Sequence, residues 1–317
     1  MKNGYLIFAD DTKIVSRIRT INDTTILQSN LDLIIKWSEA NNMQLNNNKF
    51  VLISHKPSIE NPNLKLLRHM PFFNEYDSYT VSDTLQISPS PFIKDLGVII
   101  DKDLDWKLHT EILIKKCKQI ISWILSVFYN RDKNTLMTLF NSLILSKIEY
   151  GCIIWNPYLT QEINKVEQLQ RLFTNKITGM DKYNYWERLQ KLNIMSLQRR
   201  REKTILIHTW KILNSTTPND INLIFKEQPR TSAIRAILKP LPKIKGATLT
   251  KFEESFIIKA AKLWNVLPPN LTRLTNINVF KTNLNKFLYS IPDQPPLPGY
   301  PHKNNNSLVN QIPVLKL

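Results

Sequence analysis

Cysteine is nearly absent: Cys117 and Cys152 are the only two in 317 residues. That is too few for a disulfide scaffold or for a zinc site built on thiolates, and it suits a reducing compartment. The five histidines, His55, His69, His109, His208 and His302, are scattered without metal-ligand spacing. Long apolar runs are missing as well. Near the start, the apolar stretch from Tyr5 to Ala9 is followed at once by two carboxylates, so it is too short for the apolar core of a secretory leader. Nothing elsewhere approaches the roughly 20 apolar residues of a membrane span. No internal repeat is present, and the sequence reads as that of a soluble intracellular protein.

What is there allows a sizeable core. Hydrophobic residues make up 42% of the chain, and the length suits two domains, or one domain with appendages. The formal charge of +17 points to a polyanionic partner, with nucleic acid as the default and a merely solvated Lys-rich surface as the alternative. The charge is uneven. Residues 1–100 hold ten basic and ten acidic side chains, so the whole excess lies in residues 101–317.

Periodicity divides the chain in the same way. Tyr5 to Ala9 and Thr12 to Arg17 are extended in character and predict a β-hairpin with Asp10 and Asp11 at its turn. Asn22-Asp23 then opens a helix carrying Leu27, Leu31, Ile34, Ile35 and Met43 at helical spacing. Asn46 to Asn48 break it, and a strand resumes at Phe50. Residues 56–83 read as an insertion loop, and the segments from Leu85 and from Phe92 as a strand pair joined by Pro89-Ser-Pro91.

Beyond Asp103 the period becomes helical. Ile112, Leu113, Cys117, Ile120, Ile121, Ile124 and Leu125 mark one helix, and Leu136, Phe140, Ile144 and Ile148 the next. Further helices are expected over 159–177 and 196–214, the latter capped by Ser196. Residues 215–250 read as a basic, proline-containing linker, 251–290 as a C-terminal helical element, and 291–317 as a disordered tail. The tryptophans at 123, 155, 186, 210 and 264 are expected in the core.

An apolar strand that delivers adjacent carboxylates at a tight turn has a specific chemical use. Nucleotidyl transfer needs two Mg²⁺ ions held by hard oxygen ligands, one activating the attacking hydroxyl and one neutralising the leaving pyrophosphate. Taken alone, Asp10-Asp11 reads first as an ordinary turn whose side chains cap their own backbone.

The surrounding order changes that balance. Tyr5-Leu-Ile-Phe-Ala-Asp-Asp-Thr12 resembles the catalytic hairpin of the reverse transcriptase palm, in the form found in non-LTR retrotransposons of the jockey and RTE type. Trp37-Ser-Glu-Ala-Asn-Asn-Met-Gln-Leu-Asn-Asn-Asn-Lys49 resembles the next palm helix and the Leu-Asn-x-x-Lys signature of that family. Lys94-Asp-Leu-Gly-Val-Ile-Ile-Asp-Lys-Asp-Leu-Asp-Trp106, with His109 just beyond, is similar to the Leu-Gly-Val strand segment that the family places at the primer grip. Ser142 to Pro157 and Lys262-Leu-Trp-Asn-Val-Leu-Pro-Pro269 resemble regions beyond the palm. The resemblance runs over residues 4–290 and rests on the order of these motifs.

It implies an α+β fold, with the rear part of a palm over 1–101 and a mainly helical, thumb-like region over 104–214. It implies an RNA-directed DNA polymerase using Mg²⁺, an RNA template and a DNA primer, with no membrane partner. Nuclear residence follows from the family's use of chromosomal DNA as primer. By resemblance, Asp10 is a metal ligand, Asp11 a second ligand or its support, and Lys49 the group that stabilises or protonates the departing pyrophosphate. Leu96 and Gly97 would set the primer terminus. Lys115, Lys116, Lys118, Arg199, Arg200 and Arg201 are the candidate contacts to the nucleic-acid backbone.

The family's other metal-binding carboxylate and its fingers precede this hairpin, and only nine residues stand before Asp10. The chain by itself is therefore expected to be inactive, and its hairpin to present an uncovered apolar edge. The competing reading is a noncatalytic, basic nucleic-acid-binding protein derived from such an element.

Overall fold

The computed structural model describes residues 4–18, 20–55, 78–82, 85–216, 225–227, 238–240, 255–295 and 306–315. The fold is α+β, mainly helical with small antiparallel strand pairs. It divides into two compact units, Met1–Leu104 and Asp105–Leu317.

The first unit opens with β1 (Gly4–Phe8) and β2 (Asp11–Val15), antiparallel with Phe8 opposite Asp11. The helix α1 (Ile21–Ala40) is capped by Thr20, two positions before the expected cap at Asn22-Asp23, because the Asp23 carboxylate accepts from the Thr20 N–H and hydroxyl. A single 3₁₀ turn (Asn47–Lys49) follows, held by the Asn46 side chain accepting from the Asn48 N–H. The strand expected from Phe50 reduces to one isolated bridge, Leu52 to Pro89.

The expected pairing around Pro89-Ser-Pro91 is also corrected, since two separate hairpins stand there. β3 (Tyr79–Ser82) pairs with β4 (Leu85–Ile87), and β5 (Phe92–Asp95) with β6 (Val98–Asp101). The latter turn sits at Leu96 and Gly97, both at positive φ (43° and 85°), the conformation of tight hairpin turns that match strand twist. β3 occupies part of the segment read as an insertion, the rest of which lies outside the described residues. The core here is small: Leu31, Tyr79 and Val81, with Ile14, Leu27, Ile35 and Leu52 packed around them.

β1 contributes nothing to that core. Tyr5, Leu6, Ile7 and Phe8 are all exposed, Ile7 by 73%. The other apolar faces in this unit behave alike at Leu33, Trp37 and Met43.

The second unit begins with α2 (Lys107–Val127), whose Leu113, Cys117, Ile121 and Ile124 are buried as the spacing predicts. α3 (Lys133–Leu139), a π-helical turn (Phe140–Leu145) and α4 (Ser146–Glu149) form one run that buries Leu136, Phe140, Ile144 and Ile148. The short α5 (Cys152–Trp155) puts Trp155 in the core against His109, with ring centroids 5.2 Å apart. α6 (Thr160–Thr174), α7 (Tyr185–Leu192) and α8 (Leu197–Leu213) follow. Of these, the separate α7 falls between the two helices that the spacing predicts.

In the stretch read as a linker, β7 (Phe225–Glu227) pairs with β8 (Leu238–Pro240), and most of the remainder lies outside the described residues. α9 (Phe256–Val266), α10 (Pro269–Thr272) and α11 (Ile277–Ser290) then enclose a second apolar cluster with α8, centred on Trp210, Trp264 and Phe280. The segment expected to be a disordered tail instead holds α12 (Leu308–Leu315), whose Leu308 and Ile312 are buried in that cluster. Among the tryptophans expected in the core, Trp155, Trp210 and Trp264 are buried, Trp186 is half-buried, and Trp123 is exposed.

A strained carboxylate hairpin and two basic surfaces

Because Phe8 pairs with Asp11, the turn residues are Ala9 and Asp10. Ala9 lies in the left-handed region with φ 52°, a conformation that costs a residue with a Cβ about 1 kcal/mol or more. Both Asp10 and Asp11 are exposed. Leu96 carries similar strain in the β5–β6 turn. Lys13, two residues beyond Asp11, joins Asp95 in an ion pair of 2.5 Å, so the two strained hairpins are tied side to side.

Neither partner in that tie stands out in the sequence. Lys13 sits mid-strand and Asp95 ends one, as many charged residues do, so only their tertiary meeting distinguishes them.

Lys49 is exposed at the end of the 3₁₀ turn. Among the described residues, no hydrogen bond or ion pair joins it to Asp10 or Asp11. Nor is there among them a group of three or more His, Cys, Asp or Glu able to hold a metal. Two adjacent carboxylates fall short of the donors that a pair of Mg²⁺ ions needs. The residues present therefore do not by themselves fit the metal site that the resemblance implies. Two clefts, one of about 310 Å³ bordered by Ser54, Ser90 and Lys102 and one of about 250 Å³ bordered by Trp186, Met195 and Tyr289, include neither carboxylate.

The basic candidates separate into two groups. Lys115, Lys116 and Lys118 are exposed along α2, with Lys115 opposite the buried Leu113 and Cys117 and the other two on its flanks. The arginines of α8 differ. Arg199 is wholly buried, and its guanidinium donates to the carbonyls of Leu288, Ile291 and Pro292 at 3.2, 3.2 and 3.0 Å and to Gln311 Oε1 at 2.6 Å. Arg201 is also buried, with Nε donating to Asn156 Oδ1 at 3.0 Å. Neither can reach a phosphate, which corrects the reading of both as backbone contacts. Arg200 alone stays partly exposed and pairs with Glu149 at 2.6 Å.

A buried polar network surrounds these arginines. Glu167 accepts from the Leu197 and Gln198 N–H groups at the start of α8 and from the Tyr185 hydroxyl. Burial pushes its carboxyl above the ordinary range, opposed by the Tyr185 hydrogen bond and by Arg201. Asp293 accepts from the Ser196 N–H and hydroxyl, both at 2.7 Å, and from the Asn306 amide at 2.6 Å. The network clamps the ends of α8, α11 and α12 together and is structural.

A third set of cations, which no sequence pattern singles out, gathers between α3, α7 and the turn after α6. Lys133 Nζ reaches the Lys191 carbonyl at 3.3 Å, and the ammonium groups of Lys191 and Lys182 stand 4.2 and 5.4 Å from the Tyr183 ring centre. Among the described residues, no helix is long and apolar enough to cross a membrane. No family model, curated protein or solved structure matches this chain significantly.

Proposed function

We propose that this chain is the C-terminal part of an RNA-directed DNA polymerase of a non-LTR retrotransposon. In this reading Asp10 and Asp11 supply part of the carboxylate set of a two-metal nucleotidyl transfer site. The observation that carries it is the apolar hairpin that holds two exposed carboxylates beside a strained Ala9. Backbone strain of this kind persists where the surroundings hold it, and it concentrates at functional sites. The ordered motifs that follow, from Lys49 to the Leu96-Gly97 turn, support the same assignment.

Among the described residues β1 pairs with β2 alone, and its exposed apolar side chains suit a further strand that would bring the remaining carboxylate. Without such a strand the donor set is incomplete, and the chain is expected to show no primer extension. The test is Mg²⁺-dependent extension of a DNA primer on an RNA template, using this chain joined to the in-frame sequence encoded upstream. Activity that Asp10→Ala abolishes, with template binding retained, is the expected result. Activity indifferent to Asp10→Ala would refute the assignment.

The excess positive charge beyond residue 100 favours a second reading, a noncatalytic nucleic-acid-binding protein. Under it, Asp10→Ala changes nothing, and neutralising Lys115, Lys116 and Lys118 weakens binding.

A further inference from the structure

We propose that the Asp105–Leu317 unit carries a binding surface for single-stranded nucleic acid where the α2–α3 connection meets α7. Its cations are Arg131, Lys133, Lys182 and Lys191, with the Tyr183 ring against Lys182 and Lys191 and Tyr129 two residues before Arg131. Two contacts hold this surface together across distant sequence. The Thr178 N–H and hydroxyl donate to the Arg131 carbonyl at 2.9 and 3.0 Å, and Lys133 Nζ reaches the Lys191 carbonyl at 3.3 Å.

The electrostatics favour an external anion. Among the described residues, none of the four cations forms an ion pair with a carboxylate. Three acids stand beside them in the sequence: Asp132 caps α3 by accepting from the Thr135 N–H at 3.0 Å, Glu187 accepts from the Asn184 N–H at 2.9 Å, and Asp181 is exposed, so the four cations keep a net positive balance. Gathered like charges repel one another unless a polyanion neutralises them. The Tyr183 ring also restrains two ammonium groups through cation–π contact, which reduces the side-chain entropy lost when a phosphate binds.

Tyr129 selects the class of partner. Its side chain is 90% exposed in the loop two residues before Arg131, so it adds nothing to the core. An aromatic face beside a row of cations is what an unpaired base stacks on while its phosphates meet the lysines. An acidic peptide has no use for it. This surface needs neither Asp10 nor Asp11, so it stands or falls apart from the polymerase assignment.

The test is fluorescence anisotropy of the full chain with a labelled oligo(dT) of about 20 nucleotides, titrated across a range of salt. The triple variant Lys133→Gln, Lys182→Gln, Lys191→Gln should lower the slope of log K against log salt by about 2, at roughly 0.7 for each phosphate no longer neutralised. Tyr129→Ala should weaken binding by about fivefold or more at unchanged slope. A control of equal charge, Lys262→Gln, Arg273→Gln, Lys286→Gln, lies at exposed positions elsewhere in the unit and should leave the slope within about one unit of the parent. All substituted positions are exposed, and an unchanged thermal melt confirms the fold of each variant. Equal losses in both triple variants would reduce the effect to net charge and overturn the proposal. So would a Tyr129→Ala chain that binds as the parent does, or polyglutamate competing as well as oligo(dT).

Discussion

Replacing Arg199 by alanine should cost stability, not nucleic-acid affinity. The side chain is fully buried, and its loss strands three backbone carbonyls and the Gln311 amide oxygen. A buried acceptor left without its donor costs about 1–3 kcal/mol. Relief from desolvating the guanidinium offsets part of that sum. The net loss falls in the range of about 3–5 kcal/mol observed when one side of a buried charged contact set is removed. For a unit of this size that corresponds to a fall in Tm of roughly 6–20 °C.

The assay is thermal or urea unfolding followed by tryptophan fluorescence, since Trp210 and Trp264 lie in the cluster that Arg199 helps to close. Arg200→Ala is the internal comparison: its pair with Glu149 is about a third exposed, so its loss should cost under about 1 kcal/mol. An Arg199→Ala chain that melts within a degree or two of the parent yet loses oligonucleotide affinity would refute this account.

The remaining expectations concern surface, pH and thiols. Ile7→Lys, at the most exposed position of the uncovered β1 edge, should reduce self-association measured by light scattering; unchanged association would mean that edge is not the sticky surface. Burial, and then Lys116, hold the His109 imidazole below its ordinary 6.5, so the unfolded chain takes up that proton more readily than the folded one. This contribution to stability is present above pH 6.5 and is lost as pH falls through the folded value. His109→Gln should flatten the acid limb by at most about 1.4 kcal/mol per pH unit, while His208, lowered chiefly by burial too, keeps its own share. Cys117 and Cys152 are buried with thiols pushed up to about 11. Neither should react with an alkylating reagent at pH 8 until the chain is denatured, and rapid labelling of the native protein would contradict their burial.

Local pattern alone is enough for several elements. The carboxylate hairpin follows from an apolar run ended by Asp10-Asp11, and α2 follows from the spacing of Leu113, Cys117, Ile121 and Ile124, because each property is set within a few residues. The two hairpins around Pro89 are harder. Pro89-Ser-Pro91 advertises a turn more loudly than Leu96-Gly97, yet the pairing that forms is the one whose turn twists with its strands. α12 is hidden from local pattern because a short segment between prolines and asparagines shows its helical face only when Leu308 and Ile312 have a cluster to enter.

The arginines of α8 mark the boundary between the two kinds of knowledge. Successive helical residues point about 100° apart, so Arg199, Arg200 and Arg201 cannot share one solvent face on a helix packed on several sides. By itself the sequence determined that three cations stand at the start of a capped helix, and that carboxylates end an apolar strand. Only the tertiary structure decided that Arg199 meets carbonyls from α11 about 90 residues away, that Lys13 meets Asp95, and that β1 stays uncovered. The physical reason is range. Helix and hairpin formation are settled by neighbours along the chain, whereas a side chain's charge finds its partner only among groups that folding brings together.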